Sequence, residues 1–358
     1  MQTRVRRVYN LPVLTKEIQT RFSEEGFNQA KKVGSDLRTL TNRRLIKEAI
    51  AIDPEGTPDA DDAFTVNFRG GVYNVAISIA DIASFIPPGS PLDNDARKRF
   101  RTRYLGSPRN NVPMLPKILS EKLLSLTTYG LKPTITTGFS ITRNGEIGDL
   151  AIERTLTDVS LAISYQSADI RLTQDFGPVE DTLRLARDIS KILAKSRNYK
   201  VDELWGIALR SALDKRPKTR DHEYASNKIV QEFNVAHNII LAKFCRDNGI
   251  PILYRNHNPK KADVQQENQR VSSAIEQALL DSAEVDEDSL WETAYFSIYP
   301  EGHQGLGLSE YAQFSSPIRR YQDLVNQGLL LDYLSGQPIC RSIEDLKDIA
   351  HYGNSFKK

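Results

Sequence analysis

Asp53, Asp59, Asp61 and Asp62 fall within ten residues, in the run Ile52-Asp53-Pro-Glu-Gly-Thr-Pro-Asp59-Ala-Asp61-Asp62-Ala63-Phe64. Carboxylates crowded this closely repel one another and take up protons unless a cation neutralises them. Hard divalent ions such as Mg²⁺ take oxygen ligands from carboxylates, water and phosphate. Two such ions about 4 Å apart stabilise both the attacking and the leaving oxygen of a phosphodiester cleavage. A solvated turn is the plain alternative, because Asp, Pro and Gly are common in turns, and on composition alone the two readings weigh equally. Placement favours the chemical one, since the run joins two apolar segments whose burial makes un-neutralised charge costly. A calcium loop of the EF-hand type does not fit: the Asp-x-Asp-x-Asp-Gly spacing and the Glu at position twelve are both missing.

The elements around this run alternate as strands. Ala51-Ile52-Asp53 opens an apolar strand, preceded by about fifty residues that read as mostly helical and polar. Phe64–Phe68 and Val72–Ile79 flank Gly70-Gly71 and predict a hairpin. A second hairpin is expected from Phe139 to Arg154, turning at Asn144-Gly145. Amphipathic spacing then predicts helices over 179–196, 226–248 and 264–280, the second closed by Gly249 and Pro251. Strands early and helices late around a β-rich centre point to an α+β fold.

Composition narrows the class. The chain of 358 residues is 39% hydrophobic and 26% charged, with no apolar run approaching a membrane span. The basic N-terminus lacks the apolar segment of a secretory signal. Two cysteines, Cys245 and Cys340, rule out a cysteine-rich zinc site and favour a reducing, cytoplasmic setting. Net charge is only +2, yet basic residues cluster at Arg97–Arg109, at Arg210–Arg220 and at Arg319-Arg320. Such clusters either line a positive groove or form solvated helix faces, and composition weighs these about equally. The histidines show no metal-ligand spacing and read as structural, while the Gly302–Gly307 run alone is poor support for phosphate binding.

Further motifs follow the aspartates in a fixed order. They are Ala76–Asp81, Tyr104-Leu-Gly, Val112–Pro116 with Leu119-Ser120 and Leu124-Ser-Leu126, Ser164-Tyr165, Ile229-Val-Gln-Glu232-Phe with Asn238, and Gly302–Gly307 leading through Tyr311 to Phe314-Ser-Ser-Pro-Ile-Arg319-Arg-Tyr-Gln-Asp323. Together with the aspartate spacing they resemble the RNase II/RNase R (RNB) family of 3′→5′ exoribonucleases, over residues 36 to 340. Six ordered motifs are specific where any one would be weak.

The resemblance implies an RNB-type catalytic domain: a mixed β-sheet core surrounded by helices, with a channel for single-stranded RNA. It implies that Asp53, Asp59, Asp61 and Asp62 hold Mg²⁺, two ions with Mn²⁺ able to substitute, and that Asp61, Arg319 and Tyr165 are catalytic. Arg319 would meet the scissile phosphate, Tyr165 the last nucleotide, and Tyr104 a base farther up the channel, with Glu232 and Arg320 also on the RNA. Without the motifs Tyr104 and Tyr165 read as core tyrosines, Glu232 as a solvated helix residue, and Arg319 as a partner of Asp323 one turn on.

Members of the family usually carry cold-shock barrels before this domain and an S1-type barrel after it. The expectation here is a helical leader over 1–35 and a catalytic domain over 36–358 shortened at its C-terminal helices, so that a protein partner could supply the barrels. The main alternatives are a catalytically impaired RNB relative acting as an RNA-binding module, and an unrelated Mg²⁺ phosphoesterase.

Overall fold

The computed structural model describes residues 21–40, 42–105, 110–174, 177–196, 224–258 and 292–356. Its centre is five strands: β1 (Arg44–Asp53), β2 (Asp62–Arg69), β3 (Val72–Ala80), β4 (Lys132–Ile141) and β5 (Ile147–Ser164). Sequential neighbours pair antiparallel, and β5 then runs parallel to β1, closing the sheet into a barrel. The mixed sheet is as expected; its closure is a feature that residue periodicity does not encode.

Both predicted hairpins form. Gly70 and Gly71 sit at φ of 64° and 84°, the left-handed values that a two-residue turn between β2 and β3 requires at both positions. The second hairpin is longer than expected, because β4 begins at Lys132 and β5 continues to Ser164. The extra length was hidden by hydroxyl residues. Thr134, Thr136, Thr155 and Thr157 are all buried, and their hydroxyls bond to one another and to Ser78 at 2.6–2.8 Å. A polar-looking stretch is thereby satisfied inside the sheet.

One expectation is corrected. Residues 44–50 belong to β1, not to the helical segment predicted for the first fifty residues. The register against β5 slips between Ile46 and Ala49, and Glu48 takes a φ of 58°. A bulge that carries Lys47 and Glu48 outward breaks the alternation by which a strand is read.

Seven helices among the described residues pack around the barrel: α1 (Glu24–Asp36), α2 (Pro91–Arg99), α3 (Tyr165–Leu172), α4 (Pro178–Ser196), α5 (Ala225–Asp247), α6 (Tyr321–Leu334) and α7 (Ile343–Ser355). The predicted helices over 179–196 and 226–248 correspond to α4 and α5, whereas that over 264–280 lies outside the described residues. Two cores result. Ile50, Ile52, Phe64, Ile77 and Ile79 meet α3, α4 and α5, with Phe64 edge-on to Phe233 at 5.0 Å. Small residues on the strands (Ala49, Ala51, Ala63 and Ala80) share a second core with α1, α2, α6 and α7. Ala30 and Val33 place α1 inside that second core. No described helix is long and apolar enough to cross a membrane.

Candidate active site

Closure of the barrel brings the chemical residues to one end. Parallel pairing sets Asp53, the last residue of β1, beside Ser164, the last of β5. Tyr165 follows as the first residue of α3, whose N-terminus Ser164 caps by accepting from Ser167 N. Asp62 opens β2 opposite Ile79 near the end of β3. The connecting loop is pinned from both sides: Ser125 Oγ donates to Pro58 O at 3.0 Å and accepts from Ala60 N at 3.0 Å, while Ala80 N donates to Asp61 O at 2.9 Å.

A second segment approaches from the far end of the sequence. Ile318 N donates to Asp61 Oδ1 at 2.8 Å and Arg319 Nε donates to Asp61 Oδ2 at 3.1 Å. Asp61 is 2% exposed, whereas the Arg319 side chain is 43% exposed, so the guanidinium is anchored at Asp61 through Nε and at Ser316 Oγ through Nη2 at 3.0 Å, with the remainder toward solvent. The alternative pairing of Arg319 with Asp323 is taken instead by Arg320, whose Nη2 donates to Asp323 Oδ2 at 2.6 Å. Asn238, on α5, holds this segment in place: it accepts from Phe314 N at 2.8 Å and donates to Tyr311 Oη at 2.9 Å.

Tyr104 comes in from a third direction, about half exposed, its hydroxyl donating to Asp59 Oδ2 at 2.7 Å. The other oxygen, Asp59 Oδ1, is buried without a hydrogen-bond partner. Tyr165 is buried, and burial together with the charges of Asp62 and Asp53 pushes its phenol upward, so it remains a hydrogen-bond donor. Of the residues predicted for the site, Glu232 is buried on α5 at 3% exposure, and Arg320 stands between Asp323 and the charge of Asp62. Within the Arg97–Arg109 cluster, Arg97 pairs with Asp345 at 2.5 Å and Arg99 is buried, while Lys98 and Arg101 are exposed; Arg109 and the Arg210–Arg220 cluster lie outside the described residues.

Two further residues belong to this centre. Asn234 lies beside Asp62 and Asn227 beside Tyr165, each amide favouring the ionised form of its neighbour. Their signal was present in the sequence: Asn227, Asn234 and Asn238 recur at i, i+7 and i+11, one stripe of a helix. Polar residues on a stripe of an otherwise buried helix mark the face turned toward a polar site.

All four carboxylates are held in a protonation-prone state, and burial is the largest cause in each. Asp53 is raised to about 7, with Asp62 and Asp59 adding to the burial against the opposing pull of Arg319. Asp62 is raised to about 6 by burial, tempered by Arg319 and by Asn234. Asp61 is raised well above the ordinary carboxylate value, and Asp59 is raised despite its Tyr104 bond. One guanidinium does not neutralise four carboxylates. Among the described residues no three His, Cys, Asp or Glu side chains are arranged to ligate one ion, because Asp59 and Asp61 are turned toward Tyr104 and Arg319. The donor chemistry nonetheless suits a hard divalent cation: the donors are carboxylate oxygens, one of them an orphan, and the charge is uncompensated.

Residues 36–336 match the model of the RNB domain. The chain belongs to the RNB family. It is 25% identical over 346 residues to Ribonuclease R of Chlamydia trachomatis, covering 88% of this chain and 49% of that protein. With Exoribonuclease 2 of Yersinia enterocolitica it shares 30% identity over 336 residues, covering 80% of this chain and 50% of that protein. This RNB chain thus spans about half the length of the curated relatives it matches. Its fold is also that of Mycoplasma genitalium RNase R, solved in complex with ribose-methylated single-stranded RNA, at a TM-score of 0.74 and 20% identity, covering 94% of this chain and 59% of that one. Yeast Ssd1, a pseudonuclease, matches at a TM-score of 0.71 and 21% identity, covering 88% and 43%. The RNB fold is therefore shared by nucleases and by a pseudonuclease, and the site residues must carry the distinction.

Proposed function

We propose that this chain is a hydrolytic 3′→5′ exoribonuclease that degrades single-stranded RNA to nucleoside 5′-monophosphates with two Mg²⁺ ions, for which Mn²⁺ can substitute. The observation that carries this reading is the set of four carboxylates, Asp59 and Asp61 buried and Asp53 and Asp62 partly so, beside an anchored, half-open guanidinium at one end of the barrel. A module that only binds RNA gains nothing from buried acid groups, which repel phosphate.

Asp53, Asp59, Asp61 and Asp62 would hold the cations, which when bound neutralise charge on the phosphate and activate the attacking water. Arg319, fixed by Asp61, turns its open edge toward the phosphate and stabilises charge developing there. The protonated Tyr165 hydroxyl donates to the terminal nucleotide. Tyr104 offers a half-exposed ring on which a base stacks irrespective of sequence. Specificity for ribose would rest on contacts to the 2′-hydroxyl.

One observation favours a second reading. Asp59 and Asp61 already engage Tyr104 and Arg319, as they could in an RNB relative that retains the binding surface without the reaction. Single-stranded RNA labelled at its 5′ end and incubated with Mg²⁺ separates the two. A ladder shortening from the 3′ end with release of 5′-monophosphates supports the nuclease. Retention of intact RNA by folded protein overturns it and leaves the binding module.

A further inference from the structure

Beside the carboxylates lies a cluster of the opposite sign, drawn from three separate segments. Arg101 and Arg320 stand opposite each other across an antiparallel bridge, tied on either side by Thr102 N to Arg319 O at 2.9 Å and Tyr321 N to Phe100 O at 2.8 Å. Arg255 belongs to the short strand β6 (Tyr254–Asn256), which Arg255 N fastens to Tyr311 O at 2.8 Å. Its guanidinium lies over the ring of Phe296, 4.4 Å from the centroid, which fixes the direction of the charge. Burial, then Arg320, then Arg101 bring Arg255 down to about 10, so the three cations feel one another. Asp323 is the carboxylate that opposes them, and its Oδ2 accepts from Arg320 Nη2 and from Ser316 N. Arg320 Nε is buried and has no hydrogen-bond partner.

Arg320 is answered by Asp323 and by the charge of Asp62, whereas Arg101 and Arg255 form no ion pair among the described residues and leave a positive excess that an anion would cover. The excess is also contiguous with the acid site, since the charge of Arg320 reaches Asp62. Guanidiniums match the paired oxygens of a phosphate.

We infer that Arg101, Arg255 and Arg320 form a binding subsite for a backbone phosphodiester of single-stranded RNA, adjoining the phosphate that sits at the carboxylates. The inference rests on the proposed nuclease reading, and it adds Arg101 and Arg255 to the residues that hold the strand. It also gives the strand a direction over the surface, from the acid end of the barrel past Arg320 toward β6.

The test is equilibrium binding of a labelled single-stranded RNA oligomer in EDTA, where no strand is cut, across a series of salt concentrations. Wild type is compared with Arg255→Gln and Arg101→Gln, and with Arg187→Gln as a control, a residue of α4 paired to its neighbour Asp188. Each lost phosphate contact on a single strand should lower the slope of log K against log salt by about 0.7. The expected result is that drop for Arg255→Gln and for Arg101→Gln, with the control unchanged. Should Arg255→Gln fail to fold, the exposed Arg101 position decides the matter. Unchanged slopes for a folded variant, or an equal drop in the control, overturn the subsite. A second arm measures competition by AMP. If Arg255→Gln weakens AMP and leaves the oligomer slope alone, the cluster holds the terminal phosphate of a mononucleotide and the proposal for the strand falls. The two readings fail separately: cleavage by wild type with unaltered slopes removes only the subsite, and binding with the expected slopes but no cleavage removes only the nuclease.

Discussion

At the scale of single residues, Asp61 is the most heavily committed group in the site. Its two oxygens hold the Ile318 backbone and the Arg319 guanidinium, and burial keeps it prone to protonation. Asp61→Asn should abolish single-turnover cleavage while filter binding of RNA is largely retained; parallel loss of both would count against a ligand role. Tyr104 combines two functions that substitutions can separate. Tyr104→Phe keeps the ring and removes only the bond to Asp59, so it should shift the Mg²⁺ concentration for half-maximal rate and leave the final products unchanged in length. Tyr104→Ala removes the stacking platform as well and should change that length on a sequencing gel. The spacing of the aspartates was readable in the sequence because it is local. The partner of Arg319 was not, since nothing local distinguishes Asp61, more than two hundred residues away, from Asp323, four residues on.

At the scale of elements, α5 is both a wall and a scaffold. One side buries Phe233 and Ile240 against the strands, and its asparagine stripe faces the site and the 311–315 segment. Asn238→Ala should cost about 1–3 kcal/mol, the penalty for leaving buried polar groups unsatisfied, read from urea denaturation. Activity per folded molecule should fall too, because Phe314 and Ser315 lose their tether to the helix. The hairpins and α4 were legible from alternation and from amphipathic spacing, where each residue reports on its own burial. The start of β1 was not, because the bulge at Glu48 turns charged residues outward in mid-strand. The hydroxyl-rich part of β4 was equally opaque, since threonines that satisfy one another look polar until their partners are known.

For the molecule as a whole, the acid centre sets how stability responds to pH and metal. In the folded state Asp53 and Asp62 lie at about 7 and about 6 against an ordinary 3.8, so between those values the folded chain binds more protons than the unfolded one. Stability from this source is therefore full below the ordinary value and is lost as pH rises toward 7. Divalent cations should compensate where protons have left. The gain in melting temperature on adding Mg²⁺ should accordingly be larger at pH 8 than at pH 5, and a ligand at a hundred times its Kd stabilises by about 2.7 kcal/mol. An equal gain at both pH values would argue against cation binding by these carboxylates.

The parallel pairing of β1 with β5 carries a consequence in time. Asp53 and Tyr165 come from positions more than a hundred residues apart and meet only when the sheet closes on itself. Helices and hairpins form early from nearby residues, whereas a distant parallel pairing must first overcome the entropy of the intervening loop. A newly made or refolding chain should thus regain its helical circular dichroism well before it regains any ability to cut RNA, and simultaneous recovery of the two signals would argue against this order. The proposed site is therefore incomplete until the barrel seam has closed.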